Sequence, residues 1–318
     1  MYTQLLILFA LIFTGYALAK IEILTEPVTL GINKMIVFFA FPCLIVYKLG
    51  TMQLDEALKE DFLMVFLLGG ASYIIFTVIA HVYYRLRGLT DKVSAPMMLC
   101  TCLSNNGFIG YPVALAFLGD KGLILMVAHG ALVFNLYVYT YAISYLRNSA
   151  RDYKLPMTPG RLLTQVMSIV LNPNIIAVAL GMLIFATGFS LDNVVGDYLS
   201  IISDMASPLA MIYVGAMLAG SKFTDMFKDK LIWEATFVKL ILIPALFFLM
   251  VLWLPIGDMA KAILILGVSF PSAAIPIMLG QQLGQDTRQA GQLLFLSTLL
   301  SMGTLPVVME LLTRLLSL

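Results

Sequence analysis

"SNNGFIGYPVALAFLG" (104–119) lies between apolar stretches, yet it holds two asparagines, three glycines and a proline. Proline in a helix interior costs about 3 kcal/mol. Unpaired backbone in hydrocarbon costs several kcal/mol more per group. A stretch of this kind survives in a bilayer only where protein covers it or where it lines a wet cavity. It therefore reads as a broken helix with a task.

The bilayer itself follows from composition. The chain has 318 residues, 61% hydrophobic and 12% charged, against about 25% charged in a soluble domain. It reads as an all-α integral membrane protein. A net charge of +1 leaves no basic excess for a nucleic-acid partner. No soluble domain fits between the apolar segments, so the work is done among lipids. Cys43, Cys100 and Cys102 form an odd set inside apolar segments. They read as small buried hydrophobes, not as disulfides or a metal pair, and no metal or cofactor is expected. Ala17-Leu18-Ala19 resembles a signal-peptidase site, but Met1-Tyr2-Thr3-Gln4 carries no basic side chain. The first segment is read as a transmembrane helix of the mature protein.

A spanning helix takes about 20 apolar residues. Ten stretches qualify: 3–19, 28–49, 62–84, 93–118, 122–146, 169–188, 194–219, 231–254, 259–284 and 290–316. The polar segment 147–168 divides them into a first half, 1–146, and a second half, 169–318. The odd-numbered loops hold twelve Lys and Arg, among them Arg85, Arg87, Arg147 and Arg288, against five in the even loops and termini. The positive-inside rule then places the central loop in the cytoplasm and both termini outside.

The halves echo each other. Pro42 and Tyr47 in "FPCLIVYKLG" match Pro208 and Tyr213 in "SPLAMIYVGA", and Pro112 in the fourth span matches Pro276 in the ninth. Two halves with odd helix counts insert with opposite orientation, an inverted repeat typical of secondary transporters. The ninth span, "SFPSAAIPIMLGQQLG" (269–284), carries breakers as the fourth does. Half-helices starting near Pro112 and Pro276 would offer free N–H groups and a positive dipole end to a carboxylate.

This gives the candidate site. Gly107, Gly110 and Pro112 break the fourth span, Asn105 and Asn106 add amides, and Ser104, Ser269 and Ser272 add hydroxyls. Pro276 breaks the ninth span. Asn135, Gln281 and Gln282 are further cavity groups, although interhelical hydrogen bonding explains them as well. Asp204, inside the seventh span, is either a proton or ion site or a group bonding a kink. His129 and His81 are either proton relays or buried histidines with a hydrogen-bond partner. Glu234 is expected at the interface, Lys239 is expected to snorkel, and Gly69-Gly70 to serve helix packing.

The motif Asn105-Asn106-Gly107-Phe108-Ile109-Gly110-Tyr111-Pro112 resembles the fourth-helix motif of the auxin efflux carrier family. "NPNIIAVALGML" (172–183), "SPLAMIYVGAML" (207–218) and "PSAAIPIMLGQQLG" (271–284) follow in the family's order. The resemblance implies ten helices arranged as in bile-acid symporters and sodium/proton antiporters. Helices 1, 2, 6 and 7 would form a scaffold, and helices 3–5 and 8–10 a moving transport domain with broken crossover helices 4 and 9. It implies a homodimer through helices 2 and 7, as in plant members. It implies a small organic anion such as malate or malonate, with Asn105, Gly110, Pro112 and Pro276 at the binding site. The long loop of the plant carriers is missing here. Asp55 and Lys59 share a spacing with a plant pair, but in different surroundings. The competing readings are a sodium-coupled symporter of bile-acid type and a membrane sensor. An enzyme is disfavoured: the chain has no Gly-x-Gly-Asp, and its two histidines lie far apart.

Overall fold

Apolar runs become helices wherever no proline or glycine intervenes, and the computed structural model places helix in every one of the ten stretches. It describes residues 2–52, 56–89, 91–150, 159–219 and 229–316. Asp55, Arg151, Lys154, Lys222 and Lys228 lie outside the described residues. The helices are α1 (Tyr2–Lys20), α2 (Glu26–Thr51), α3 (Glu56–Leu86) and α4 (Asp91–Cys102). Next come α5 (106–118) and α6 (120–149), separated by Gly119 at φ 66°. The second half holds α7 (Pro159–Val170), α8 (Pro173–Thr187), α9 (Val194–Ala219) and α10 (Lys230–Leu252). It ends with α11 (Asp258–Ser269), α12 (Ile275–Gln282) and α13 (Arg288–Leu315). Six apolar stretches, Glu26–Thr51, Glu56–Leu86, Asn106–Ser149, Val194–Ala219, Lys230–Leu252 and Arg288–Leu315, are long enough to cross a membrane. Phe13, Leu67, Ile74, Leu183 and Leu249 point outward, the exposed apolar girdle that lipid requires. The protein is thus a helical, multi-pass membrane protein.

Two details are added. The dividing segment after residue 147 carries a helix of its own, Pro159–Val170. The sixth span starts later than residue 169: Asn172 caps α8 by accepting from the Asn174 amide at 3.0 Å, with Pro173 in the first turn.

Three prolines set local geometry. Pro42, Pro112 and Pro244 each follow, by two residues, a wide π turn: Ile36–Ala40, Asn106–Gly110 and Val238–Leu242. Proline lacks an N–H and its ring crowds the preceding turn, and a wider turn relieves both. Each such turn rotates the face that the rest of the helix presents.

The helices pack in two groups. In one, α1 lies along α9, and α2 packs on α8 and α9. Gly15 meets the Ile212 backbone and Gly215 the Ile12 backbone, so these two helices touch main chain to main chain. In the other group, α3 packs on α4, α6 and α11, while α13 packs on α4 and α10. Gly69 of α3 closes on His129, and a Cβ there would come within 2.8 Å of the imidazole. Gly70, also expected to pack, faces open space. Between the groups, Lys48 on α2 forms a 2.9 Å ion pair with Asp120 at the α5–α6 turn.

Candidate functional site

Both expected breaks exist, and they meet. Ser104 and Ser272 form an isolated antiparallel bridge. The Asn105 amide donates to the Pro271 carbonyl at 2.8 Å, and the Ala273 amide donates to the Leu103 carbonyl at 2.9 Å. Each interrupted helix thus supplies the partners the other has lost, which is how non-helical backbone persists at this depth. Four half-helices converge here: α4 and α11 end at the crossing, and α5 and α12 begin there.

The first break differs from its expected place. α5 starts at Asn106, ahead of Pro112, and Pro112 sits in the first turn of the α-helical part that follows the wide turn. Asn105 is the cap: its Oδ1 accepts from the Phe108 amide at 3.2 Å. Pro276 does lie in the first turn of α12, as expected.

A cavity of about 330 Å³ opens at the crossing. Asn105, Asn106, Gly107 and Asn135 line it, as do Ser104 and Gln282. Gln282, not its neighbour Gln281, faces the cavity, because the two lie about 100° apart around α12. Ser272 is fully buried away from the cavity, its amide donating to Ser297 Oγ at 3.1 Å. Gly110 lets the breaks approach, since a Cβ there would sit 3.1 Å from the Phe270 ring. Pro112 and Pro276 are not among the described lining residues. Asp204 lies on the exposed face of α9, away from the cavity lining.

Several lining groups were not among the candidate site residues read from the sequence. Asn33 and Lys34 of α2 and Asn172 and Asn174 at the start of α8 all face the cavity. Asn172 Nδ2 donates to Asn135 Oδ1 at 3.1 Å, and Asn135 Nδ2 donates to the Ala131 carbonyl at 2.6 Å. Asn33 Oδ1, Asn106 Oδ1 and Asn174 Oδ1 are buried without partners among the described residues, so the carboxamides keep bonding capacity to spare. Lys34 is the charged side chain on the described lining, which includes no Asp or Glu. The lining also carries aromatic rings: Phe108 packs on Tyr213 at 4.8 Å, and Phe41 on Tyr111 at 5.2 Å between ring centres.

Behind Asn106 is a buried polar relay. Asn106 is 1% exposed, and its Nδ2 donates to Tyr73 Oη at 3.0 Å and lies 2.9 Å from His129 Nδ1. His129 is sandwiched between Gly69 and Gly267. It is buried and bonded to Asn106, and it is not among the lining residues. His81 Nδ1 lies 2.9 Å from the Thr77 carbonyl. Cys100 and Cys102 are free and buried.

Lys239 contradicts its expected place. It does not snorkel; it is 1% exposed, and its Nζ donates to Ser104 Oγ at 2.6 Å. It lies within the wide turn Val238–Leu242, which aims it at the crossing and not at lipid. Glu234, one turn earlier, is at the helix end as expected, paired with Arg87 and bonded by Tyr83 Oη at 3.4 Å.

A multi-pass helical bundle with two broken helices crossing above a polar cavity has the build of a membrane transporter. The chain belongs to the membrane transport protein family (Mem_trans), whose model matches residues 1–309. This bears out the resemblance to the auxin efflux carriers and makes the protein a transporter, not an enzyme. It is 23% identical to an uncharacterized transporter of Methanothermobacter thermautotrophicus over 93% of both chains. It is 25% identical to an uncharacterized transporter of Methanocaldococcus jannaschii, over 93% of this chain and 94% of the relative. It is 26% identical to a Rhizobium meliloti protein named "Putative malonate transporter", over 93% of this chain and 91% of the relative.

Proposed function

We propose that the protein is a secondary carrier of small organic anions, malonate or malate among them, working by elevator-type alternating access. The observation that carries this reading is the cavity at the crossing. It is lined by carboxamides, the first turns of two half-helices and Lys34, with no carboxylate on its described wall. Free N–H groups and the dipole at a helix N-terminus attract an anion. The same lining gives a sodium ion no anionic ligand, which favours the anion carrier over a sodium-coupled symporter of bile-acid type. The relative named for malonate agrees in substrate class.

The ten-span inverted repeat supports the mechanism. The reciprocal bonds at Ser104 and Ser272 are what a two-fold relation between halves 1–146 and 169–318 would produce. The two packing groups fit a scaffold of the first, second, sixth and seventh spans and a transport domain of the rest. Lys34 and Gln282 are exposed lining residues, and by chain order they lie toward the loops rich in Lys and Arg, so we place the cavity mouth there. The Lys48–Asp120 pair lies on the other side. We read this as the state open to the cytoplasm, with both termini outside. Asn105, Gly107, Asn135 and Gln282 bind substrate in this reading; Asn106, held from behind by Tyr73 and His129, fixes the wall with Gly110, Pro112, Ser272 and Pro276. A homodimer would use α2 and α9, where Phe38 and Met205 are exposed.

Counterflow of radiolabelled malonate and malate into acid-loaded proteoliposomes tests the reading. The wild type should accumulate label, and Asn105→Ala should be folded but inactive. Well-folded wild type that exchanges neither acid would refute the substrate class.

A further inference from the structure

The crossing holds a charge that the anion-carrier reading has not yet used. Lys239 is among the largest fully buried side chains. Its ammonium donates to Ser104 Oγ, and Ser104 both lines the cavity and forms the bridge between the two breaks. The ionisable groups around it are Cys100 and Cys102 on α4 and His129 on α6, none of them a carboxylate. Among the described residues no carboxylate forms an ion pair with it. What compensates it in part are helix ends. α4 and α11 terminate at the crossing with their negative dipole ends and free carbonyls, and Ser104 Oγ also donates to the Val268 carbonyl at 3.4 Å. Helix ends amount to partial charges only, so a lone buried ammonium stays under-compensated.

The anion that would complete the balance has a place. The cavity lies on the other side of the Ser104 side chain, and α5 and α12 present their positive ends to it. We propose that Lys239 is the resident counter-cation of the anion site. Its ammonium, one hydroxyl behind the cavity wall, supplies positive charge that would otherwise be bound from solution, so the carrier takes its acid without a co-bound sodium ion. The inference rests on the anion-carrier reading and adds the source of the charge. Lys239 acts through Ser104 and through its field; it is a positioning residue that does not touch the substrate. Because it sits on α10, packed with α11 and α13, its charge travels with the part of the protein that moves in that reading.

The test uses the full chain, purified into detergent for melting and into proteoliposomes for counterflow. Malonate, malate and benzoate are the probes. Wild type should exchange at least one of them equally, within about twofold, in sodium and in choline buffer. Lys239→Met removes the charge and keeps the volume. It should melt at or above the wild-type temperature without acid, because a lone buried charge has been replaced by an apolar side chain. Its KM should rise at least tenfold, and the acid should no longer raise its melting temperature. Lys239→Gln keeps a donor toward Ser104 without the charge and should behave like the methionine variant. Wild-type flux that requires sodium would overturn the proposal. So would a glutamine variant with wild-type KM, since a hydrogen bond would then suffice, or two variants that melt early and bind normally. Wild type that exchanges no probe would instead strike at the carrier reading, and this inference would fall with it.

Discussion

Asn105 and Asn106 both reach the cavity lining but are held differently by the fold, and replacing each by alanine should separate their roles. Asn106 is the interior one. Its amide serves Tyr73 Oη and His129 Nδ1, both buried. Asn106→Ala leaves two buried groups without that partner, at about 1–2 kcal/mol each, or about 2–4 kcal/mol together. Asn105 gives the fold one capping bond to the Phe108 amide, and losing a cap costs about 1 kcal/mol. For a chain of this size about 2 °C is lost per kcal/mol. The expected melting shifts are then about 4–8 °C for Asn106→Ala and about 2 °C for Asn105→Ala. Counterflow per folded molecule should rank the other way, since Asn105 stands in the cavity wall where substrate would bind. Fluorescence-detected melting in detergent, paired with counterflow on the same preparations, reads both quantities. Equal melting shifts, or an Asn105 variant that is the less stable of the two, would refute the assignment of wall-fixing and substrate-binding roles.

Three further outcomes follow from the geometry. Gly107→Ala should fold normally, because its Cβ would meet only the Phe41 ring at 3.8 Å, yet it should slow counterflow by narrowing the approach to the first turn of α5. Gly130→Ala is the contrast: a Cβ 2.9 Å from that of Asn106 and 3.1 Å from Tyr111 overpacks the core, and melting should report about 1–3 kcal/mol of loss. Lys34→Gln should raise KM severalfold with Vmax kept, and the difference should shrink as salt is raised, because the lysine is exposed at the mouth.

Much of this site was legible because hydrocarbon makes polar and helix-breaking residues expensive. Two asparagines beside glycines at 104–112, and two prolines at 271 and 276, had no cheap explanation, so their positions pointed to a break. What the sequence hid is a matter of facing. Lys239 looked like a snorkelling residue on an ordinary helix, but the wide turn Val238–Leu242 shifts the register that a 3.6-residue wheel assumes. Gln281 and Gln282 were equal in the sequence and differ only in rotation about α12. Lys34 sits in the first turns of a span, where a basic residue is unremarkable, and only the approach of α8 and α12 makes it part of a wall. Asn172 carried a readable signal, an asparagine before a proline, which is a helix start; the apolar run beginning a few residues earlier obscured it.

The bridge at Ser104 and Ser272 also has a consequence for how the chain is made. Neither break can satisfy its own backbone, because the Asn105 amide and the Leu103 carbonyl find their partners in the other half. Those partners are made 166 and 170 positions later. At roughly 5–20 residues per second, the nascent first half waits on the order of ten to thirty seconds with its fold unclosed. During that time it must be held at the insertion machinery or hydrated from a water-filled vestibule, since hydrocarbon offers it no hydrogen bonds. A ribosomal pause or a truncation before residue 271 should therefore yield a half-inserted protein marked for proteolysis, not a stable fragment. Biogenesis and transport would then depend on the same few atoms.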